Sequence, residues 1–144
     1  MKILSFAFNG QGDNLYLPEV LPENSVCYTG THDNDTLLGL IQNANEWDRN
    51  NLYNGVRNSL DKMGVSLQVT DDQSLIEAII ELGFASKANL FLLPLQDVLA
   101  QDTNMRINEP GTVKDQNWAV KFEAKDLNEK VSQKLLTLTK KYNR

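Results

Sequence analysis

Thr31-His32-Asp33-Asn34-Asp35 sets the chain's only histidine beside a carboxylate, with a second carboxylate two residues further on. An imidazole next to an acid offers a ring nitrogen and two acceptor oxygens at short range, a combination suited to hydrogen bonding with sugar hydroxyls. A structural role competes with it, since Asp33 or Asp35 could cap a helix beginning near Thr36, worth about 1 kcal/mol. Other chemistries fail on residue type or spacing. A calcium loop of the EF-hand kind starting at Asp33 would need an oxygen ligand at Leu37, a glycine at Leu38 and a carboxylate at Ala44. Zinc lacks ligands, because no second histidine exists and Cys27 lies in the apolar run Val26–Tyr28. Gly10-Gln11-Gly12 has Leu15 where a dinucleotide loop places its third glycine, and there is no Gly-x-Ser-x-Gly elbow for serine hydrolysis. No metal or cofactor is expected.

Three apolar runs must position these residues. Lys2–Phe8, Ser25–Gly30 and Ala88–Leu95 are short, and each is closed by glycine or proline, the mark of buried strands with Pro94 at the end of the third. Strand alternation would place Phe6 and Phe8 together on a core face. Between the strands, Leu52, Val56, Leu60 and Met63 recur at helical spacing over Glu46–Met63, and Gly64 ends that helix. Thr70 with Gln73 forms a capping-box pattern opening a helix to about Phe84, with Leu75, Ile76, Ile79 and Ile80 inward. Asp126 with Glu129 would cap the last helix, whose face is Leu127, Val131, Leu135, Leu138 and Tyr142. Trp118 is expected in the core rather than as a sugar platform. Apolar strands alternating with helices indicate a parallel sheet of the α/β class, in which ligand sites form beyond the carboxyl ends of the strands. Thr31–Asp35 follows the second strand at such an end.

Composition narrows the partners. The chain has 144 residues, 14 Lys and Arg scattered among 19 acids, and a net charge of -5, so it offers no cationic stripe for nucleic acid or an anionic membrane. One domain is the default at this length. The single cysteine cannot form an internal disulfide, which fits a reducing compartment. No stretch approaches the ~20 apolar residues that cross a bilayer, and Ile3–Phe8 has neither the length nor the cleavage site of a signal peptide. A cytoplasmic protein is expected.

Several motifs carry a resemblance, in order along the whole chain: MKILSFAF, Tyr16-Leu17-Pro18, Pro22-Glu23-Asn24, TGTHDNDTLLG, Pro94-Leu95-Gln96-Asp97 and Arg106-Ile107-Asn108-Glu109-Pro110-Gly111. Together they resemble the C-terminal part of the 4-α-glucanotransferases, the amylomaltase or disproportionating-enzyme family. That resemblance implies part of a (β/α)8 barrel of the α-amylase superfamily, with the three strands as the sixth to eighth and residues 41–85 as a helical insertion. It also implies retaining transfer of α-1,4-glucan segments between maltodextrins, starch or glycogen. In such chemistry an Asp attacks the anomeric carbon, a Glu protonates the leaving oxygen, and the 4-hydroxyl of another glucan captures the glycosyl-enzyme, the two carboxyl groups standing about 5 to 5.5 Å apart. Both would lie upstream of Met1, in the missing N-terminal part of the barrel. Asp33 matches the third, transition-state-stabilising acid, with His32 beside it, while Asn9, Arg106 and Asn108 match substrate-binding positions. Asn9 stands where the family usually has Asp. Glu19 and Val20 replace its usual His and Asn, and Val120 and Lys121 its usual aromatic and arginine. Three strands of an eight-stranded barrel would leave open edges, so self-association is expected. The alternative is a non-catalytic carbohydrate-binding or structural α/β module.

Overall fold

The computed structural model describes all 144 residues, and the three apolar runs form one parallel sheet. Strand β1 (Lys2–Ile3) pairs with β2 (Val26–Tyr28), and β2 with β3 (Leu90–Leu92), in the register Lys2↔Cys27 and Val26↔Leu90. The connection from β2 to β3 carries three helices: α1 (Leu37–Asn43), α2 (Glu46–Met63) and α3 (Asp72–Ala85). A short helix α4 (Leu95–Val98) follows β3 directly, and α5 (Glu129–Lys141) closes the chain against α3. This is the α/β arrangement expected from the sequence. None of the helices is long and apolar enough to cross a membrane.

The core lies where α2 and α3 meet and beneath the first loop. Leu52, Val56 and Leu60 on α2 face Leu75, Ile76, Ile79 and Ile80 on α3, joined by Leu4, Phe8, Leu17 and Leu21 from the N-terminal segment. Each such side chain stabilises the fold by about 1.5–3 kcal/mol through removal from water. Cys27 is fully buried, and burial pushes its thiol up to about 12. Two glycines make close approaches possible. A Cβ on Gly83 would sit 2.2 Å from the Phe91 ring, so its absence lets α3 rest on β3, and one on Gly39 would sit 2.4 Å from both Asp35 Oδ1 and Thr103 Oγ1.

Local details depart from the sequence expectations. The first strand stops at Ile3, and Leu4–Phe6 turns into a 3-10 helix. The three-residue period of that turn rotates Phe6 off the face that Phe8 occupies. Phe6 is therefore 50% exposed, edge-on to Tyr16 at 6.3 Å, while Phe8 is buried. The third strand is not covered on both faces: β3 is an edge strand, and Leu90 and Leu92 are open. Helix α3 is capped by Asp71 with Ser74 rather than by Thr70 with Gln73, the Ser74 N–H donating to Asp71 Oδ1 at 2.8 Å and the Asp71 N–H to Ser74 Oγ at 3.0 Å. Asn128 caps α5 in place of Asp126, which closes a 3-10 turn over Ala124–Asp126 and leaves Leu127 exposed. In both helices the short acceptor nearest the first turn takes the orphan N–H.

Candidate functional site

The segment Gly30–Thr36 leaves the carboxyl end of β2 and runs into α1. Thr29, fully buried at its start, accepts the Ser5 N–H on its carbonyl at 3.0 Å and donates its hydroxyl to Asp97 Oδ2 at 2.5 Å. Inside the loop, the Thr31 N–H and hydroxyl both donate to Asn34 Oδ1 at 2.8 Å, and the Asn34 N–H returns to the Thr31 carbonyl at 3.1 Å. That side-chain turn keeps His32 and Asp33 at the loop's crest. The cap of α1 is Thr36, whose hydroxyl accepts the Gly39 N–H at 3.0 Å. Neither Asp33 nor Asp35 serves as the cap. Asp35 instead accepts the Thr36 N–H on Oδ1 at 2.8 Å, and on Oδ2 the Thr103 hydroxyl at 2.9 Å and the Asn43 amide at 3.3 Å.

Asp33 stands at the centre of a second set of bonds. Its Oδ1 accepts the Asn108 side-chain amide at 2.7 Å and lies 3.3 Å from His32 Nε2. Arg106 donates through Nη2 to the Asp33 carbonyl at 2.6 Å and through Nε to the Asn108 carbonyl at 2.9 Å, and the Asn108 N–H donates to the His32 carbonyl at 3.1 Å. Arg106 and Asn108 are thus stitched onto the His32-Asp33 loop across more than 70 residues of sequence. About half of each of the His32 and Asp33 side chains remains exposed. Beside them opens a cleft of about 710 Å³, floored by Tyr28, Gly30, Leu92 and Pro94.

Trp118 is found here and not in the core. Its backbone N–H donates to the Ile107 carbonyl at 2.7 Å, its backbone takes φ +63°, the residue is 65% exposed, and its ring lies 5.1 Å from the His32 ring at 38°. General burial preference pointed inward, whereas the loop that also supplies Arg106 and Asn108 turns the ring onto the site. Asn9 stands apart. Its Oδ1 accepts the Gln11 N–H and the Asn14 amide, each at 3.1 Å, and it makes no hydrogen bond to the Asp33 cluster. It shares with Asp35, Ser5 and Asn43 a separate cavity of about 320 Å³.

Sequence patterns gave no sign of Thr103 or Asn43, and the Pro94-Leu95-Gln96-Asp97 motif assigned Asp97 no role, because the parts these residues play depend on tertiary approach alone. Asp97 is 3% exposed, and burial raises its carboxyl above the ordinary carboxylate value, partly offset by the Thr29 hydroxyl and the Leu37 N–H that it accepts. No group of three or more His, Cys, Asp or Glu side chains converges to hold a metal ion. Within the cluster Asp33 is the one carboxylate, so it can accept from hydroxyl groups and balance positive charge, with an aromatic face alongside.

Comparison with known proteins is consistent across sequence and structure. Residues 1–127 match the sequence model of the 4-alpha-glucanotransferase family. The 4-alpha-glucanotransferase of Streptococcus pneumoniae is 34% identical over 144 residues, which is 100% of this chain and 26% of that protein. That of Synechocystis is 34% identical over 145 residues, again 100% of this chain and 26% of the relative. That of Thermus thermophilus is 36% identical over 121 residues, 83% of this chain and 23% of its own. Among solved structures, the amylomaltase from Streptococcus agalactiae in complex with acarbose superposes with a TM-score of 0.84 at 28% identity, covering 100% of this chain and 27% of that one. The chain therefore spans about a quarter of the length of the relatives it matches.

Proposed function

This chain belongs to the 4-α-glucanotransferase family, and from that membership we propose that it forms the C-terminal portion of a retaining transferase that moves α-1,4-glucan segments between maltodextrins. The nucleophilic Asp and the acid/base Glu come from the remainder of the catalytic barrel in this scheme, because the Asp33 cluster holds a single carboxylate and retaining chemistry needs two about 5 to 5.5 Å apart. The open edges of β1 and β3, with Leu90 and Leu92 exposed, are in keeping with strands six to eight of a (β/α)8 barrel awaiting their neighbours, and α2 and α3 with a helical insertion across residues 41–85. A cytoplasmic setting accords with the free, buried Cys27.

One observation carries the reading: Asp33 is fixed through one oxygen by Asn108, beside His32 and Trp118, at the carboxyl end of the sheet and facing a cleft. In the proposed mechanism the carboxylate accepts hydrogen bonds from hydroxyls of the transferred sugar and tightens them as positive charge grows on the ring, which lowers the barrier because the contact is stronger in the transition state than in the ground state. His32 grips the same sugar. Arg106 and Asn108 hold Asp33 in place and reach the sugar from the later loop, while Asn9 contacts the glucan from the neighbouring cavity. The complex of the amylomaltase neighbour with acarbose is in line with a carbohydrate ligand. The test is disproportionation of maltotriose. The 144-residue chain alone is expected to yield no glucose or longer maltodextrins above a protein-free control, and the complete polypeptide that carries it is expected to yield both. Transfer by the chain alone, or none by the complete polypeptide, would contradict the proposal, the latter leaving a non-catalytic glucan-binding module.

A further inference from the structure

We propose that Gln96 and Asp97, adjacent residues of the short helix α4, are positioning residues that set the two loops of the Asp33 site against each other. Asp97 accepts the Thr29 hydroxyl at 2.5 Å through Oδ2 and the Leu37 N–H at 2.8 Å through Oδ1. Thr29 and Leu37 are the two ends of the loop that carries His32 and Asp33, so one buried carboxylate closes that loop across its base. Gln96, also buried, donates its side-chain amide to the Met105 carbonyl at 3.3 Å, immediately before Arg106 and Asn108, which clasp Asp33. Both side chains project from a helix that leaves β3 through Pro94, so the two loops are referenced to the same sheet. Gln101 N–H, donating to the Gln96 carbonyl at 2.8 Å, ties down the helix's own exit.

The burial of Asp97 gives this arrangement its physical cost, because an ionised carboxylate out of water is retained only where donors compensate it. Its two donors are the loop ends, and neither touches the cleft. Asp97 thus acts on the chemistry only through the geometry of Asp33. The inference rests on the proposed transferase reading for its kinetic consequence, while its structural content stands apart from activity.

The experiment uses the complete polypeptide, with hydrogen exchange by mass spectrometry beside kinetics. Asp97→Ala removes both tethers, whereas Asp97→Asn can still accept the Leu37 N–H through Oδ1 and donate to the Thr29 oxygen through Nδ2. Exchange over residues 30–37 is expected to rise roughly tenfold or more in Asp97→Ala. Asp97→Asn should recover most of that protection, and Gln96→Met should loosen residues 105–109 but not 30–37. In parallel, Asp97→Ala should lower kcat on the order of 10-fold to 100-fold with KM changed less than about threefold, and should add little in an Asp33→Asn background, as expected for residues that act as one unit. Three results would overturn the proposal: faster exchange spread over α2 and α3, equal loss in the Asn and Ala variants, or additivity with Asp33→Asn. If Asp97→Ala does not fold, Thr29→Val and Gln96→Met decide by the same local exchange. A wild type without transfer activity would refute the transferase reading, and the exchange pattern would still test the tethers.

Discussion

At the scale of single residues, the sequence marked His32 and Asp33 through their types and their place after a strand, and the resemblance supplied Arg106 and Asn108. The structure brings these four together through bonds that link distant parts of the chain. Trp118 was not legible, because an aromatic residue in a polar loop carries no local sign of where its ring will point, and burial preference favoured the core. Under the proposed function, its exposed ring beside His32 would serve as a platform for the apolar face of a sugar. Trp118→Ala in the complete polypeptide should therefore weaken maltodextrin binding by about threefold to tenfold, with little change in melting temperature. Calorimetric titration with maltoheptaose checks it, and unchanged affinity would return Trp118 to a purely structural role.

At the scale of elements, the long helices were legible and the short strands less so. The spacing of Leu52, Val56, Leu60 and Met63 and the left-handed Gly64 delimited α2 to the residue, because about five helical turns average out local uncertainty. A strand of two residues offers no such averaging, and a 3-10 turn at Leu4 defeated the alternation that placed Phe6. The caps of α3 and α5 moved by one or two positions, since several neighbouring Asp, Asn, Thr and Ser residues could each accept the same N–H. Close packing of α1 against the Asp35 and Thr103 side chains gives a sharper prediction. Gly39→Ala would put a methyl group 2.4 Å from both oxygens, so the fold should lose about 1–3 kcal/mol through displacement of those side chains. A thermal melt unchanged from wild type would mean that the loops give way freely.

At the scale of the whole molecule, nothing in the residue patterns reveals an eight-stranded barrel. Periodicity reports elements and not closure, so the expectation of a barrel rested on resemblance alone, beside the three parallel strands that the structure shows. Stability against acid is open to a direct physical argument. Burial alone would raise the Glu19 carboxyl, yet the bonds from Lys62 Nζ at 2.9 Å and Ser59 Oγ at 2.8 Å, with its own backbone N–H, hold it below its ordinary value of 4.5. Glu77 is held below 4.5 against burial in the same way, by Gln73 and Lys134. A carboxylate lowered by folding contributes stability that is full above its unfolded value and lost as pH falls through its folded one. The melting temperature should accordingly drop as pH falls below about 4.5, and Glu19→Gln should be less stable at neutral pH with a shallower acid decline; parallel curves for the two proteins would contradict this. The most direct measurement of the third-acid role is kcat, KM and melting temperature for Asp33→Asn in the complete polypeptide, beside Asp35→Asn. The Asp33 variant should keep its melting temperature and lose kcat on the order of 10²-fold or more, with KM changed far less, because an interaction that strengthens in the transition state has been removed. Near-normal kcat with a lowered melting temperature would show that Asp33 only holds its loop together.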